Sequence, residues 1–299
     1  MKYINSIEIA KIWGITDRSV RSYCAQGRVE GAYLDGKVWM IPSDAKIPQR
    51  NKRHSSKRKG LLETLKEEKE SRIKGGIYHK IQVEMTYNSN HIEGSKLTYD
   101  QTRYIFETNT IGVQKENIKV DDLIETTNHF RCIDLAIDVA KSKLSEYIIK
   151  QFHRVLKSGT SDAQKSWFKV GDYKLIANEV GGNAIAKPED VKKEMAKLMD
   201  WYNSIQDVKI EDIIEFHQRF ESIHPFQDGN GRVGRLIMFK ECLKHNIVPI
   251  LILDKYKSNY YNGLHQWQNE QGFLIETCKF GQDIMKKYLD YFKIPYKND

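Results

Sequence analysis

A twelve-residue stretch from His224 to Arg235, HPFQDGNGRVGR, combines a histidine, an aspartate, two arginines and three glycines. Glycines let backbone amides approach a ligand closely, and amides at a helix N-terminus attract phosphate. Arginines spaced one helical turn apart add forked donors for several phosphate oxygens. Asp228 would repel a bare phosphate but suits Mg²⁺, and His224 can take a proton from an attacking hydroxyl. The stretch therefore predicts nucleotidyl or phosphoryl transfer to a hydroxyl group.

Two helices must position these residues. Residues 212–220 have the periodicity of an amphipathic helix, and an apolar helical pattern starts again at Leu236 and continues to Leu243. The pattern predicts that all twelve residues form a loop between two helices. It also places the loop amides at the positive end of the second helix.

The stretch resembles the signature of the Fic family, His-x-Phe-x-(Asp/Glu)-Gly-Asn-Gly-Arg-x-x-Arg, without a departure. The resemblance implies a helical core and transfer of AMP from ATP to a Ser, Thr or Tyr hydroxyl of a protein. It implies His224 as general base, Asp228 as the ligand of Mg²⁺, and Arg235 on the γ-phosphate. The nucleotide-binding set that it implies is Phe226 (as a packing anchor), Gly229, Asn230, Gly231, Arg232, Arg235 and Tyr261.

A second motif lies upstream, at the end of a helix predicted over 78–92. Ser89, Glu93 and Gly94 match the inhibitory pattern (Ser/Thr)-x-x-x-Glu-(Gly/Asn) of Fic proteins. A carboxylate paired bidentately with Arg235 would occupy the guanidinium that otherwise holds the γ-phosphate. In some family members this glutamate also supports removal of AMP. The sequence leaves open that second role for Glu93, its action in cis or across a homodimer, and the identity of the target protein.

The N-terminal part differs in charge from the rest. Residues 1–60 hold thirteen Lys and Arg against five Asp and Glu, so they carry the whole net charge of +8. Such asymmetry indicates contact with nucleic acid. The polar basic run from Arg50 to Gly60 is predicted to be a linker, either merely solvated or following a phosphate backbone.

Residues 1–45 predict a small DNA-binding module. Helices are expected over 8–13 and 17–26, with Thr16 as an N-cap, followed by a hairpin over 32–41 that turns at Asp35-Gly36. The expected core is Ile9, Ile12, Ile15 and Val20. The arrangement resembles the winged helix-turn-helix of excisionase and MerR-type proteins, and the expected DNA-binding residues are Arg18, Ser19, Arg21 and Ser22. A protein-interaction domain with a basic surface is the alternative.

The predicted fold class is mainly α: a helical Fic core with a β-hairpin flap, preceded by the winged module. The domains expected are 1–45, a basic linker with a connecting helix over 46–77, and a Fic catalytic domain over 78–299 that includes the inhibitory helix to about 94. The flap, placed at 170–182, would bind the target segment by strand addition. Lys174 departs from the arginine of many relatives.

The expected partners are ATP with Mg²⁺, a hydroxyl-bearing protein and DNA. No signal segment or membrane span is evident, and the four cysteines lack metal-ligand spacing, so a cytoplasmic protein is expected. Two alternatives stay open: transfer from a different nucleotide donor, and a transcription regulator that uses the Fic pocket as a nucleotide sensor.

Overall fold

A computed structural model describes residues 2–36, 38–48, 59–112, 117–178 and 185–297. The chain divides into two compact units, Met1–Lys57 and Arg58–Asp299. The fold is mainly helical, with one small three-stranded sheet in the described ranges. None of the helices among the described residues is both long and apolar enough to cross a membrane.

The first unit is built from short elements with well-formed helix caps. Asn5 and Glu8 form a capping box at the start of the first helix, and Thr16 accepts a hydrogen bond from Ser19 N at the start of the second. The sheet is antiparallel in the order β1-β3-β2, and β1 was not expected from the sequence. The elements are β1 Tyr3–Asn5, α1 Ser6–Trp13, α2 Asp17–Ala25, β2 Tyr33–Asp35 and β3 Val38–Pro42.

The core of this unit corrects one expectation. Ile9 and Val20 are fully buried, but Ile12 is 65% exposed. The buried residues of α1 are at positions 6, 9 and 10, and the partly buried Trp13 lies on the same helix face, whereas Ile12 lies off that face. In the hairpin, Asp35 pairs with Val38 and Gly36 follows β2 as a turn residue; residue 37 lies outside the described residues.

The second unit is an assembly of ten helices in its described part. Their bounds are α3 Leu61–Ser71, α4 Ile77–Ile92, α5 Tyr99–Thr108, α6 Val120–Asp138, α7 Glu146–Lys157, α8 Pro188–Ser204, α9 Ile210–Ile223, α10 Asn230–His245, α11 Lys257–Gln266 and α12 Gly272–Tyr291.

Helix α10 is the centre of the second unit. It packs against α4, α6, α7 and α9, and almost every one of its side chains is buried. A helix that is buried on all sides needs no amphipathic stripe. Its N-terminus lies within the stretch from His224 to Arg235, so the core itself fixes the direction in which the first amides of α10 point.

The predicted flap forms no strand over residues 170–178, and residues 179–182 of that prediction lie outside the described residues. The described part runs beside the stretch before α10 and is tied to it at Lys174, whose backbone amide donates to Pro225 O at 2.9 Å. Most of the predicted linker, residues 50–58, also lies outside the described residues.

Candidate functional site

The loop between α9 and α10 is only six residues long, His224 to Gly229. The expectation of a twelve-residue loop is wrong, because Asn230 to Arg235 already form the first turns of α10. His224 ends α9 with φ of 51°, and Gly229 precedes α10 with φ of 83°. The Asn230 side chain closes the loop, accepting from Phe226 N at 2.8 Å and donating to Phe226 O at 2.9 Å.

The buried His153 on α7 packs against this loop. The rings of His153 and Phe226 stack with their centroids 4.0 Å apart and 3° between their planes. His153 Nδ1 accepts from Gly171 N at 2.9 Å, so its Nε2 carries the proton and donates to Asp228 O at 3.2 Å. The ring therefore fixes both the side chain and the backbone of the loop.

His224 is held in its neutral form. Burial lowers the pKa of its imidazole to about 4; the nearby Lys174 ammonium acts in the same direction, and Asp228 and Glu93 act against it. A neutral imidazole can accept a proton at pH 7. The position of His224 at the head of the loop is thus compatible with the role of a general base.

The N-terminus of α10 faces the Glu93 carboxylate. No side chain caps this end of the helix, so its first amides are suited to an anion. A Cβ atom built on Gly231 would lie 2.2 Å from Glu93 Oε1 and 3.0 Å from an Arg235 Nη1 atom. Only glycine at 231 therefore leaves room for a negatively charged group against the first turn of α10.

Arg235 is buried, and all three of its nitrogens have partners. Nε and Nη2 donate to Ser89 Oγ and Ser89 O, each at 3.0 Å, and Nη1 donates to Tyr260 OH at 3.4 Å. Nη2 also contacts Glu93 Oε1 at 2.7 Å. The expected bidentate pair is not formed, because Ser89 and Tyr260 occupy the other donors. Gly94, with φ of 93°, follows Glu93 and turns the chain away from α4.

Asp228 and Arg232 belong to a network of charges. Arg232 Nη1 contacts Glu125 Oε2 at 2.5 Å, and Nη2 contacts Asp228 Oδ2 at 3.3 Å. Lys157 Nζ contacts the same Asp228 oxygen at 2.7 Å. Burial alone would raise the pKa of the Asp228 carboxyl, but the two cations outweigh burial and lower it. Asp228 is therefore an anion at neutral pH.

The Asp228 carboxylate is suited to a cation that brings its own ligands. The side chain is 49% exposed, and Lys157 and Arg232 both bind its Oδ2, which leaves Oδ1. In the part of the chain that the structure describes, no group of three or more His, Cys, Asp or Glu side chains could hold a metal ion. Mg²⁺ commonly binds through one carboxylate together with substrate phosphates and water, and Asp228 fits that mode.

The segment from Lys174 to Asn178 lies along the loop. Ile176 N donates to Gln227 Oε1 at 3.3 Å, and Asn178 Nδ2 donates to Gln227 O at 3.3 Å. Lys174 is buried and donates to Asn178 Oδ1 at 2.9 Å; burial lowers its pKa to about 8. These bonds place the backbone of this segment beside the His224–Gly229 loop.

Other predicted site residues have different surroundings. Phe226 is fully buried, and the side-chain amide of Asn230 is bonded to the loop backbone. Asn230 can therefore contact a ligand through its backbone N–H and not through its side chain. Tyr261 OH donates to Ile92 O at 3.1 Å, beside the inhibitory motif.

The predicted DNA-binding residues all lie on α2. Arg18 is exposed, whereas Arg21 contacts Asp17 at 2.5 Å. Ser19 Oγ is 2.9 Å from Thr16 Oγ1, and Ser22 Oγ accepts from Gln26 at 3.0 Å. Arg21, whose side chain is 58% exposed, and Ser22 are exposed as well, so three of the four predicted residues lie on the surface of α2.

Sequence reasoning missed Lys157 and Glu125. Lys157 continues the buried stripe of α7 formed by positions 149, 152, 153 and 156. Glu125 likewise lies one turn before the buried His129 on α6. A charged residue on the apolar face of a helix is the signal that could have identified both, because burial of a charge requires a partner.

The site can now be compared with known proteins. Residues 143–242 match the sequence profile of the Fic/DOC family. A protein adenylyltransferase Fic from Nematostella vectensis is 30% identical over 185 residues, 60% of this chain and 42% of that protein. A relative of the same name from Drosophila willistoni is 28% identical over 215 residues, 69% of this chain and 40% of that protein. The chain thus spans about two fifths of these curated relatives.

Solved structures share the fold. A Fic domain containing signaling protein from Bacteroides thetaiotaomicron superposes with a TM-score of 0.61 at 25% identity, covering 80% of this chain and 99% of that one. Fic-1 from C. elegans superposes with a TM-score of 0.59 at 19% identity, covering 77% and 71%. The segment that carries the loop between α9 and α10 is therefore similar to the Fic/DOC family in sequence, within a second unit that has the fold of Fic proteins.

Proposed function

We propose that the chain is a protein adenylyltransferase that moves AMP from ATP to a Ser, Thr or Tyr hydroxyl of a protein. The observation that carries the proposal is the surroundings of the His224–Gly229 loop. A neutral imidazole, an uncapped helix N-terminus and the Asp228 anion all meet at these six residues. The names of the relatives support AMP as the group that is moved.

In this proposal the chain's own residues each have one task. The α10 amides at Gly231 and Arg232 bind phosphate oxygens, and Arg235 binds the γ-phosphate. His224 Nε2 takes the proton of the target hydroxyl as its oxygen attacks the α-phosphorus and pyrophosphate leaves. The Asp228 carboxylate would hold Mg²⁺, which neutralises phosphate charge. The backbone from Lys174 to Asn178 would orient the target segment by pairing with it.

Glu93 is the inhibitory residue in the proposal. Its carboxylate occupies Arg235 and lies against Gly231, so a γ-phosphate at Arg235 would have to displace it. Ser89 holds Arg235 in place, and Gly94 ends the inhibitory segment. The same carboxylate could orient water for removal of AMP, a reverse reaction that the family resemblance allows.

The test is incorporation of α-phosphate-labelled ATP into protein. The Glu93→Gly variant, supplied with Mg²⁺ and lysate from the same source, should label at least one target band. The Glu93→Gly/His224→Ala variant is the matched control and should label none. If neither variant labels protein although ATP binds, another nucleotide donor or the sensor alternative would replace this proposal.

A second function is proposed for the Met1–Lys57 unit, which would bind DNA through α2. The observations that favour it are the adjacent helices α1 and α2, the hairpin, and the exposed Arg18 on the second helix. An Arg18→Ala/Arg21→Ala variant of the full chain should bind DNA more weakly and with a smaller dependence on salt than the unchanged protein. Lys192→Ala/Lys193→Ala, at two exposed positions of α8 in the other unit, removes the same number of charges and serves as the control.

A further inference from the structure

Lys157, the last residue of α7, is a buried cation surrounded by three carboxylates. Its side chain is 2% exposed, and its ammonium lies 2.6 Å from Glu125 Oε1, 3.1 Å from Asp162 Oδ2 and 2.7 Å from Asp228 Oδ2. Lys157 Nζ is therefore held by carboxylate oxygens from three directions.

Arg232 closes the network on its other side. Glu125 gives one carboxylate oxygen to Lys157 and the other to Arg232, and Asp228 gives its Oδ2 to both cations. The five side chains hold three negative and two positive charges. Asp228 is the most exposed of the three carboxylates, with 49% of its side chain accessible against 27% for Asp162 and 14% for Glu125.

We propose that Lys157 is a positioning residue that fixes the Asp228 carboxylate through Oδ2 and prevents the three carboxylates from binding a divalent cation without a nucleotide. The proposal rests on the function proposed above, in which Asp228 holds Mg²⁺. Lys165 Nζ holds the other Asp162 oxygen, Oδ1, at 2.6 Å. Of the six carboxylate oxygens of Glu125, Asp162 and Asp228, Asp228 Oδ1 is therefore the one that these lysines and Arg232 leave to a divalent cation. One carboxylate oxygen binds Mg²⁺ weakly unless phosphate oxygens complete the coordination.

Removal of the Lys157 ammonium should allow the carboxylates around it to bind a cation. Glu125, Asp162 and Asp228 would lose the partner that they share, and carboxylate oxygens are ligands that suit Mn²⁺ and Mg²⁺. The ammonium thus makes cation binding depend on the nucleotide. The carboxylate oxygens paired with Lys157 cannot coordinate the cation, so phosphate oxygens must supply those ligands. Lys157 also keeps the Asp228 carboxylate in one orientation before the nucleotide binds.

The test uses Mn²⁺ as a probe, measured by electron paramagnetic resonance on the full chain without nucleotide. Lys157→Met, which keeps most of the length of the side chain and removes its charge, should bind Mn²⁺ at least about tenfold more tightly than the unchanged protein. Lys157→Arg should bind like the unchanged protein. Lys157→Met/Asp228→Asn should lose the gain, which would place the bound ion at Asp228.

A second variant tests the proposal in case Lys157→Met does not fold, and the opposite effect on Mn²⁺ binding is expected from it. Asp162→Asn removes one partner of the ammonium, so Lys157 should hold Asp228 more strongly and the Mn²⁺ concentration that half-saturates the ATP-bound protein should rise. A folded Lys157→Met with unchanged Mn²⁺ affinity would overturn the proposal, and so would an Asp162→Asn variant with tighter binding. Neither readout depends on AMP transfer, so failure of the adenylyltransferase proposal would appear separately, as absent labelling by Glu93→Gly.

Discussion

Removal of Glu93 should strengthen the binding of ATP far more than that of ADP. The contact between Arg235 Nη2 and Glu93 Oε1, at 2.7 Å, joins an arginine that is 6% exposed to a carboxylate that is 28% exposed. A hydrogen bond between charged groups contributes about 1.5–3 kcal/mol. A γ-phosphate that takes over Arg235 must break this bond, so Glu93→Gly should tighten productive ATP binding by about 10- to 150-fold.

The rest of the Arg235 environment should survive this substitution. Three hydrogen bonds, two to Ser89 and one to Tyr260, still hold the guanidinium when Glu93 is absent. The gain should therefore come from a free Arg235 nitrogen and from open space at Gly231, and not from a rearranged site. Glu93→Gln separates these two contributions, because the amide keeps the volume of the side chain and loses its charge. An intermediate gain is expected from it.

Isothermal titration calorimetry with a non-hydrolysable ATP analogue and with ADP, both with Mg²⁺, measures the effect. ADP lacks the γ-phosphate, so its affinity should change little between the unchanged protein and Glu93→Gly. Equal gains for both nucleotides would refute the reasoning, since they would show that Glu93 acts on the whole pocket through its charge. No gain for either nucleotide would remove Glu93 from the inhibitory role altogether.

Three further changes test the site. Lys174→Met should raise the pKa of His224 above about 4, because a cation that opposes protonation of the imidazole is lost. NMR titration of the His224 imidazole in the nucleotide-free protein measures this pKa. Lys174→Arg keeps the positive charge and should leave the pKa unchanged. Burial, aided by Glu93, raises the pKa of Glu221 from 4.5 to about 8. The folded state then binds more protons than the unfolded one between these values, so the unfolding free energy should fall from pH 5 to 8 relative to Glu221→Gln; parallel urea-unfolding curves would contradict this. Asn230→Ala should destabilise the protein by about 1–3 kcal/mol, because the buried N–H and C=O of Phe226 lose their hydrogen-bond partners. Chemical denaturation measures this change in the free energy of unfolding. A change near zero would show that water replaces the side-chain amide of Asn230.

Several features were predictable because they depend on local spacing. The helix that leads to Glu93 was expected over 78–92 and is observed as Ile77–Ile92. Helix α2 begins at Asp17 after its Thr16 cap, as expected. Periodicity and capping chemistry are written in neighbouring residues, so a single sequence reveals them. The mainly helical fold class was confirmed for the same reason.

The boundaries at the loop depended on contacts that spacing does not reveal. Helix α10 begins six residues earlier than expected because the Asn230 side chain satisfies the Phe226 backbone and Gly229 adopts a left-handed conformation. The low amphipathicity of a fully buried helix also hides its first turns. The strand β1 was missed because three residues carry too little periodicity to be distinguished from coil.

The sequence alone determined which chemical groups are available: a histidine, an aspartate, two arginines and the glutamate that we propose to be inhibitory lie in two short motifs. Only the tertiary structure decided how they are paired. Glu93 and Arg235, separated by 142 positions, meet because α4 and α10 pack together. Lys157 lies 71 positions before Asp228 and 32 after Glu125, yet contacts both carboxylates. Electrostatic pairing acts through space, and a buried charge obtains its partner from whichever helix the core places beside it.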